Sequence, residues 1–278
     1  MENQIFQIDC PDEKGLVYRI TEVLYRHQLN ITSNQEFVDA DTRHFVMRTA
    51  YEGNHNSDRI TKDLRSVLPD SARIRHRKIG NQSMVIMATK EPHCLGDLLL
   101  RYRYGELPGQ VSAVISNHQK LEYLAEAFDV PFHYVGHQGR SRKGHESEIL
   151  EVLDSYNPDY IILAKYMRIF TPEFVSRFSD RMINIHHSFL PAFTGAKPYQ
   201  QAYDRGVKII GATAHFLTDE LDEGPIIAQD VLPVNHSYTA EQMANAGRDV
   251  EKIVLAKAVK LVLQERVFIH GNRTIVFE

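Results

Sequence analysis

The chain has 278 residues, enough for two domains at roughly 100–200 residues each. Its 43% apolar and 24% charged residues are ordinary for a globular protein, and 32 basic against 36 acidic side chains leave a net charge of −4, which excludes the basic excess of a dedicated nucleic-acid binder. Two distant cysteines, Cys10 and Cys94, exclude a disulfide framework or a Cys-rich zinc site, and no apolar run approaches the ~18 residues of a membrane span.

The first residues lack the basic and apolar regions of a signal peptide, so a cytoplasmic protein is expected. Residues 5–10 alternate apolar and polar, as a half-buried strand does. A Pro11-Asp12-Glu13-Lys14-Gly15 turn follows, and then Leu16, Val17, Ile20, Val23 and Leu24 repeat at helical spacing. A strand to about Val38, a polar connection over 39–42 and a strand over 45–51 come next. Ile60, Leu64, Val67 and Leu68 mark a second helix, and residues 73–78 a last strand. The order is βαββαβ, the ferredoxin-like arrangement, over residues 1–80, with Gly80-Asn81-Gln82-Ser83 as linker.

From Met84 the pattern changes. The unbroken apolar run 84–88 fits a parallel strand buried on both faces. Helices are expected at 95–104, 121–128, 147–156 and 173–178, and strands at 111–115, 132–135, 160–164 and 182–185. This alternation predicts an α/β fold with a Rossmann-like, mostly parallel sheet over residues 84–278. Residues 207–217 and 225–234 are expected to form an antiparallel hairpin around 218–224, followed by a helix over 240–263 and two terminal strands. The basic, Gly-rich stretch 136–144, with His137, Arg140, Arg142 and Lys143, reads as a surface loop, or else as a segment that closes over the site.

The densest motif is Asn184-Ile185-His186-His187-Ser188-Phe189-Leu190-Pro191, followed by Gly195-Ala196-Lys197-Pro198. It follows a buried strand, where open α/β sheets place ligands. Strand alternation sets Asn184 and His186 on one side, where an amide and an imidazole can hold a carbonyl oxygen as it becomes an oxyanion. The other reading is a histidine pair that satisfies loop backbone, and the motif alone leaves both open. In the acidic stretch 219–223, Asp219, Glu220 and Glu223 fit a solvated loop. Asp222 is set apart by Gly224-Pro225, a turn that would aim its carboxylate, and a carboxylate held near a histidine suits water activation. His187, Ser188 and His215 rank lower.

The Asn-x-His-x-Ser-x-Leu-Pro stretch, His215-Phe216 and Asp222-Glu223-Gly224-Pro225-Ile226-Ile227 together resemble the folate-dependent formyltransferase catalytic domain. The resemblance implies a catalytic set of Asn184, His186 and Asp222. It also implies a reduced-folate site using Met167, Arg168 and Ile169 of the Tyr166-Met167-Arg168-Ile169 stretch, with Leu217 and the loop behind it reading the pterin edge. His215 is expected to support that site, and Lys197 or Arg168 to meet the glutamate tail. Asp9-x-Pro11-Asp12-x-x-Gly15-Leu16-Val17 with Asn30-Ile31 is similar to the ACT domain, which implies an amino-acid effector and pairing between copies in a homo-oligomer. An ACT domain ahead of a formyltransferase-like domain resembles the formyltetrahydrofolate deformylase family.

That family implies hydrolysis of 10-formyltetrahydrofolate to formate and tetrahydrofolate, in support of one-carbon balance and purine synthesis. The folate is then substrate, and no prosthetic group or metal is required. Asp222 is expected to activate or orient water with His186, and Asn184 to hold the oxyanion. Stretch 89–97, with one Gly, a Pro and two acids, is a poor phosphate cradle, which disfavours a ribose-phosphate amine as acceptor. A chain closing soon after its last long helix disfavours a tRNA acceptor. The alternatives are a formyltransferase acting on an amine and a non-catalytic ACT-type metabolite sensor.

Overall fold

The computed structural model describes residues 4–53, 56–192 and 198–278. Two compact units emerge: Met1–Asn81 with Gln264–Phe268 and Phe277–Glu278, and Gln82–Leu263 with Ile269–Val276.

In the first unit the elements are β1 (Gln4–Pro11), α1 (Leu16–Arg26), β2 (Asn30–Asp39), β3 (His44–Glu52), α2 (Ser57–Val67) and β4 (Arg73–Lys78). The sheet order is β2-β3-β1-β4, antiparallel throughout. Gly15 enters α1 at φ 86°, a left-handed conformation that glycine adopts without a Cβ penalty. The face of α1 carrying Leu16, Ile20, Val23 and Leu24 and the α2 residues Ile60 and Leu64 bury against Phe6, Ile8 and Met47. Each fully buried side chain of this size contributes roughly 1.5–3 kcal/mol.

The second unit runs β5 (Ser83–Ala88), α3 (Pro92–Arg103), β6 (Gln110–Ser116), α4 (Glu122–Glu126), β7 (Phe132–Tyr134), α5 (Arg142–Tyr156), β8 (Tyr160–Leu163), α6 (Pro172–Arg177), β9 (Met182–His186), α7 (Pro198–Arg205), β10 (Ile209–Phe216), β11 (Ile226–Pro233) and α8 (Ala240–Leu263). Short strands β12 (Val267–His270) and β13 (Arg273–Val276) close the chain. The sheet order is β11-β10-β9-β8-β5-β6-β7. Strands β9-β8-β5-β6-β7 are parallel, and β10 and β11 are antiparallel additions at one edge. Val85, Met87, Ile161 and Leu163 face α5 and α6 on one side, while α8 packs on β9, β10 and β11. Burial on both faces explains the unbroken apolar strands.

The sheet grows from β5 outward to β7 and then returns to β8 on the other side of β5. The crevice at the carboxyl ends of β5 and β8 is therefore the switch point where such sheets bind ligands. The Met167 N–H, after β8, spans it to Thr89 Oγ1, after β5, at 3.0 Å.

Stretch 136–144 is exposed from residue 138 onward, as a surface loop would be, but its last three residues open a helix. Helix α5 begins at Arg142, because the Ser141 side chain caps it by accepting from the Gly144 N–H at 3.1 Å. His145 is buried within the first turns and donates from Nε2 to the Val135 carbonyl at 2.9 Å. Arg140 donates to the Gly136 carbonyl and pairs with Glu148.

Candidate active site

Strand β9 ends at His186, and its alternation places Asn184 beside it on the same face. The antiparallel register of β10 sets His215 opposite Asn184 and Thr213 opposite His186. Asp222 reaches the site from the loop between β10 and β11. Its own φ of 59° is a left-handed conformation that Asp tolerates better than most residues. A Cβ on Gly224 would lie 1.8 Å from the Phe216 carbonyl oxygen, so only glycine lets the loop close that tightly. The Phe216 N–H donates to the Pro225 carbonyl at 2.9 Å and completes the turn.

Hydrogen bonding assigns the protons. The His215 Nδ1 faces the Phe216 carbonyl at 2.9 Å, and a carbonyl only accepts, so Nδ1 carries the hydrogen. Burial lowers the His215 pKa and keeps the ring neutral, which leaves Nε2 as an acceptor. The Asn184 Nδ2 lies 3.3 Å from that Nε2 and donates to it, which fixes the orientation of the amide. Asp222 Oδ1 stands 3.1 Å from His186 Nδ1 and 3.9 Å from His215 Nε2. Burial alone would raise the Asp222 carboxyl; the hydrogen bond and the nearby imidazoles outweigh it and hold the group below its ordinary value. An ionised Asp222 accepts from His186 Nδ1–H. The other nitrogen, His186 Nε2, is buried with no partner among the described residues.

The turn after β9 is stitched down by groups that the motif alone does not single out. Thr213 Oγ1, fully buried, donates to the Ser188 carbonyl at 2.9 Å and accepts from the Leu190 N–H at 3.0 Å. Gln229 Nε2 donates to the Leu190 carbonyl at 3.1 Å. Ser188 Oγ donates to the Ala192 carbonyl, so its hydroxyl serves the loop.

His187 joins a second polar cluster. Its ring stacks on His186, with centroids 5.0 Å apart and planes 15° apart, and its Nδ1 is 3.1 Å from Lys165 Nζ. Lys165 Nζ is also 3.3 Å from Glu251 Oε2 on α8. Glu251 is 1% exposed and accepts from His93 Nε2 at 2.7 Å and from the Tyr199 hydroxyl at 2.8 Å. Burial alone would raise the Glu251 carboxyl; His93, Lys165 and Tyr199 together hold it down to about 2. Lys165 adopts φ 63°, a conformation that costs a non-glycine residue roughly 1–2 kcal/mol. His93, Cys94 and Glu251 bring three potential metal ligands within 4.8 Å of one another. The Lys165 ammonium already neutralises that carboxylate, and burial pushes the Cys94 thiol up, away from the thiolate a metal would need.

The remaining expected residues divide. Met167 and Ile169 are exposed at the switch-point crevice, and Arg168 is partly exposed beside them. The Met167 N–H is satisfied by Thr89, and the Leu217 N–H donates to the Met182 carbonyl at 2.9 Å, so these two donors are already engaged within the fold. Leu217 instead packs its side chain against the Phe170–Phe174 core. His215 is fully buried and both ring nitrogens are used, so it orients Asn184 rather than touching a ligand. Lys197 lies outside the described residues. Lys165 and Glu251 were not anticipated. A lone carboxylate on the apolar face of a long helix, between Val250 and Val254, was the available signal for Glu251.

Comparison with known proteins gives a consistent result. The formyl transferase family pattern matches residues 82–259, and the ACT domain pattern matches residues 5–69. The formyltetrahydrofolate deformylase of Escherichia coli O6:H1 is 55% identical over 276 residues, covering 99% of each chain. That of Haemophilus influenzae is 54% identical with the same coverage. The crystal structure of a formyltetrahydrofolate deformylase from Pseudomonas syringae superposes with a TM-score of 0.96 at 38% identity, covering 100% of this chain and 95% of that one.

Proposed function

This chain belongs to the formyltetrahydrofolate deformylase family, and on that premise we propose that Asn184, His186 and Asp222 carry the hydrolysis of 10-formyltetrahydrofolate to formate and tetrahydrofolate. The reaction needs no prosthetic group; the reduced folate is the substrate. The observation that carries the assignment of residues is the bare His186 Nε2, buried and unpartnered among the described residues while Asp222 holds Nδ1.

Water attacks the formyl carbon, and His186 Nε2 takes the proton that water gives up. Asp222, held on Nδ1, stabilises the imidazolium that forms and acts through the ring rather than on water directly. Asn184, with one Nδ2 hydrogen on His215, turns the other toward the formyl oxygen as it becomes an oxyanion. Collapse of the tetrahedral intermediate breaks the bond from carbon to N10. His186 returns its proton to N10, and formic acid leaves as formate.

Water as acceptor is supported by the start of α3. Its N-cap is Glu91, whose side chain makes no cap, and Pro92 lacks one of the N–H groups that a phosphate would need. The folate is placed in the crevice beside Met167, Arg168 and Ile169, where exposed apolar side chains suit a pterin and the Arg168 cation suits a glutamate tail.

The ACT domain is consistent with binding of a small molecule, and no helix among the described residues is long and apolar enough to cross a membrane. The finer reading is an amino-acid effector bound by residues 1–80, and a homo-oligomer formed through edge strand β2, which exposes Phe37 and Val38. Residues 84–278 are read as the catalytic domain. Cytoplasmic residence is favoured by two buried free thiols, Cys10 and Cys94.

The test is formate release from 10-formyltetrahydrofolate without added amine, wild type against Asp222→Asn. Acceptor-free turnover lost in the variant supports the reading. Turnover that requires an amine assigns a transferase, and tight folate binding without turnover assigns a sensor.

A further inference from the structure

We propose that Glu251 and Lys165 are positioning residues that lock His187 as a neutral ring, protonated on Nε2, against the face of the catalytic His186. This rests on the assignment of His186 to the hydrolysis above. Lys165 donates to His187 Nδ1 at 3.1 Å, so that nitrogen is an acceptor and the ring hydrogen sits on Nε2. Burial and the Lys165 charge lower the His187 pKa to about 4 and keep the ring uncharged through neutral pH. Among the described residues, the charged or titratable groups that face His187 are Lys165 after β8, His186 on β9, Tyr199 on α7, Asp222 from the β10–β11 loop and Glu251 on α8.

The arrangement has a chemical purpose. His186 must become an imidazolium during turnover, and a second cation stacked 5.0 Å away would oppose it. Lys165 keeps His187 neutral, yet its own ammonium would oppose the same charge. Glu251 cancels that ammonium at 3.3 Å, and His93 and Tyr199 aim the carboxylate. Tyr199 is seated only because position 247 is glycine, since a Cβ there would lie 2.1 Å from the hydroxyl oxygen. His186 is thus held on its edge by Asp222 and on its face by a ring whose proton is fixed elsewhere.

The experiment uses the full chain with ¹⁵N-labelled histidine, followed by NMR from pH 5.5 to 8.5, with His187 assigned by its absence in His187→Gln. The expected resting protein shows His187 with a bare Nδ1 and a protonated Nε2 across the range. In Lys165→Met that tautomer is lost or the ring begins to titrate. In Glu251→Gln, kcat for formate release falls about 10- to 100-fold while KM stays within about two-fold, since a misplaced catalytic ring costs rate rather than binding. Its kcat profile also moves to lower pH, because an unbalanced Lys165 charge disfavours proton gain nearby. A His187 that titrates near the ordinary histidine range in the wild type overturns the proposal, whether or not either variant folds. So does a Glu251→Gln protein with unchanged kcat and unchanged pH profile. Failure of the wild type to hydrolyse 10-formyltetrahydrofolate would instead sink the functional reading, and with it this role.

Discussion

Asp222 and His186 meet through a 3.1 Å contact from Oδ1 to Nδ1 that joins a loop carboxylate to the end of β9. The contact orients the imidazole and leaves a single bare nitrogen, so the carboxylate decides which end of the ring meets substrate. Replacing the carboxylate by an amide keeps the shape and removes the charge.

Asp222→Asn is expected to lower kcat for formate release by about 10²–10⁴-fold, the range lost when a positioned acid–base system is broken. KM should change little, because Asp222 touches His186 rather than the folate. Steady-state formate release at saturating substrate checks this. A loss below about ten-fold would remove Asp222 from the mechanism.

Asn184→Ala removes the oxyanion donor and should cost about 10²–10³-fold in kcat, on the order of 3–4 kcal/mol. His215→Met takes away the acceptor that holds the Asn184 amide, so it should cost a smaller factor of the same kind. In the double variant the two losses should not add, because both act on one hydrogen bond to the substrate. Additive losses in that cycle would show that His215 acts independently.

Gly224→Ala forces a Cβ to within 1.8 Å of the Phe216 carbonyl oxygen, a backbone atom that cannot turn aside. The loop must move, at roughly 1–3 kcal/mol of stability for overpacking of this kind. Asp222, two residues earlier, moves with it. Calorimetry should therefore show a lower Tm together with a fall in kcat, and a variant that lost neither would place Gly224 outside the tight turn.

Stability should fall with acid in two steps. The His187 pKa is about 4 in the fold against 6.5 for the free group, so the unfolded chain takes up the proton first and stability drops as pH falls from about 6.5 to 4. Glu251 is held to about 2 against 4.5, so the stability it contributes is complete above pH 4.5 and is lost as pH falls toward 2. Each step is on the order of 3 kcal/mol at most. Urea unfolding at pH 7, 5.5 and 4 checks the first, and His187→Gln should flatten it. An unchanged slope in that variant would assign the step elsewhere.

Much of the fold is legible in the sequence because burial leaves a period. The α1 face of Leu16, Ile20, Val23 and Leu24 and the unbroken apolar β5 each record the surface they cover. The expected helix over 240–263 matches α8, and the late hairpin matches β10 and β11. Helix α5 starts earlier than its apolar residues suggest, because the capping bond from Gly144 to Ser141 extends it where no periodicity exists. The order and spacing of the Asn184, His186 and Asp222 motifs pointed to the formyltransferase domain, and the ACT-like turn over residues 9–17 ahead of it narrowed the family.

Which groups meet was decided by tertiary structure. The pairing of β10 against β9 brings His215 to Asn184, 31 residues apart, and so decides which side chain the buried histidine supports. The crossing of α8 brings Glu251 to His93 and Tyr199, 158 and 52 residues away. Apolar burial is a property of one segment and repeats along it. A buried polar group is satisfied by a partner on another element, at a distance that only the packed sheet and helices establish.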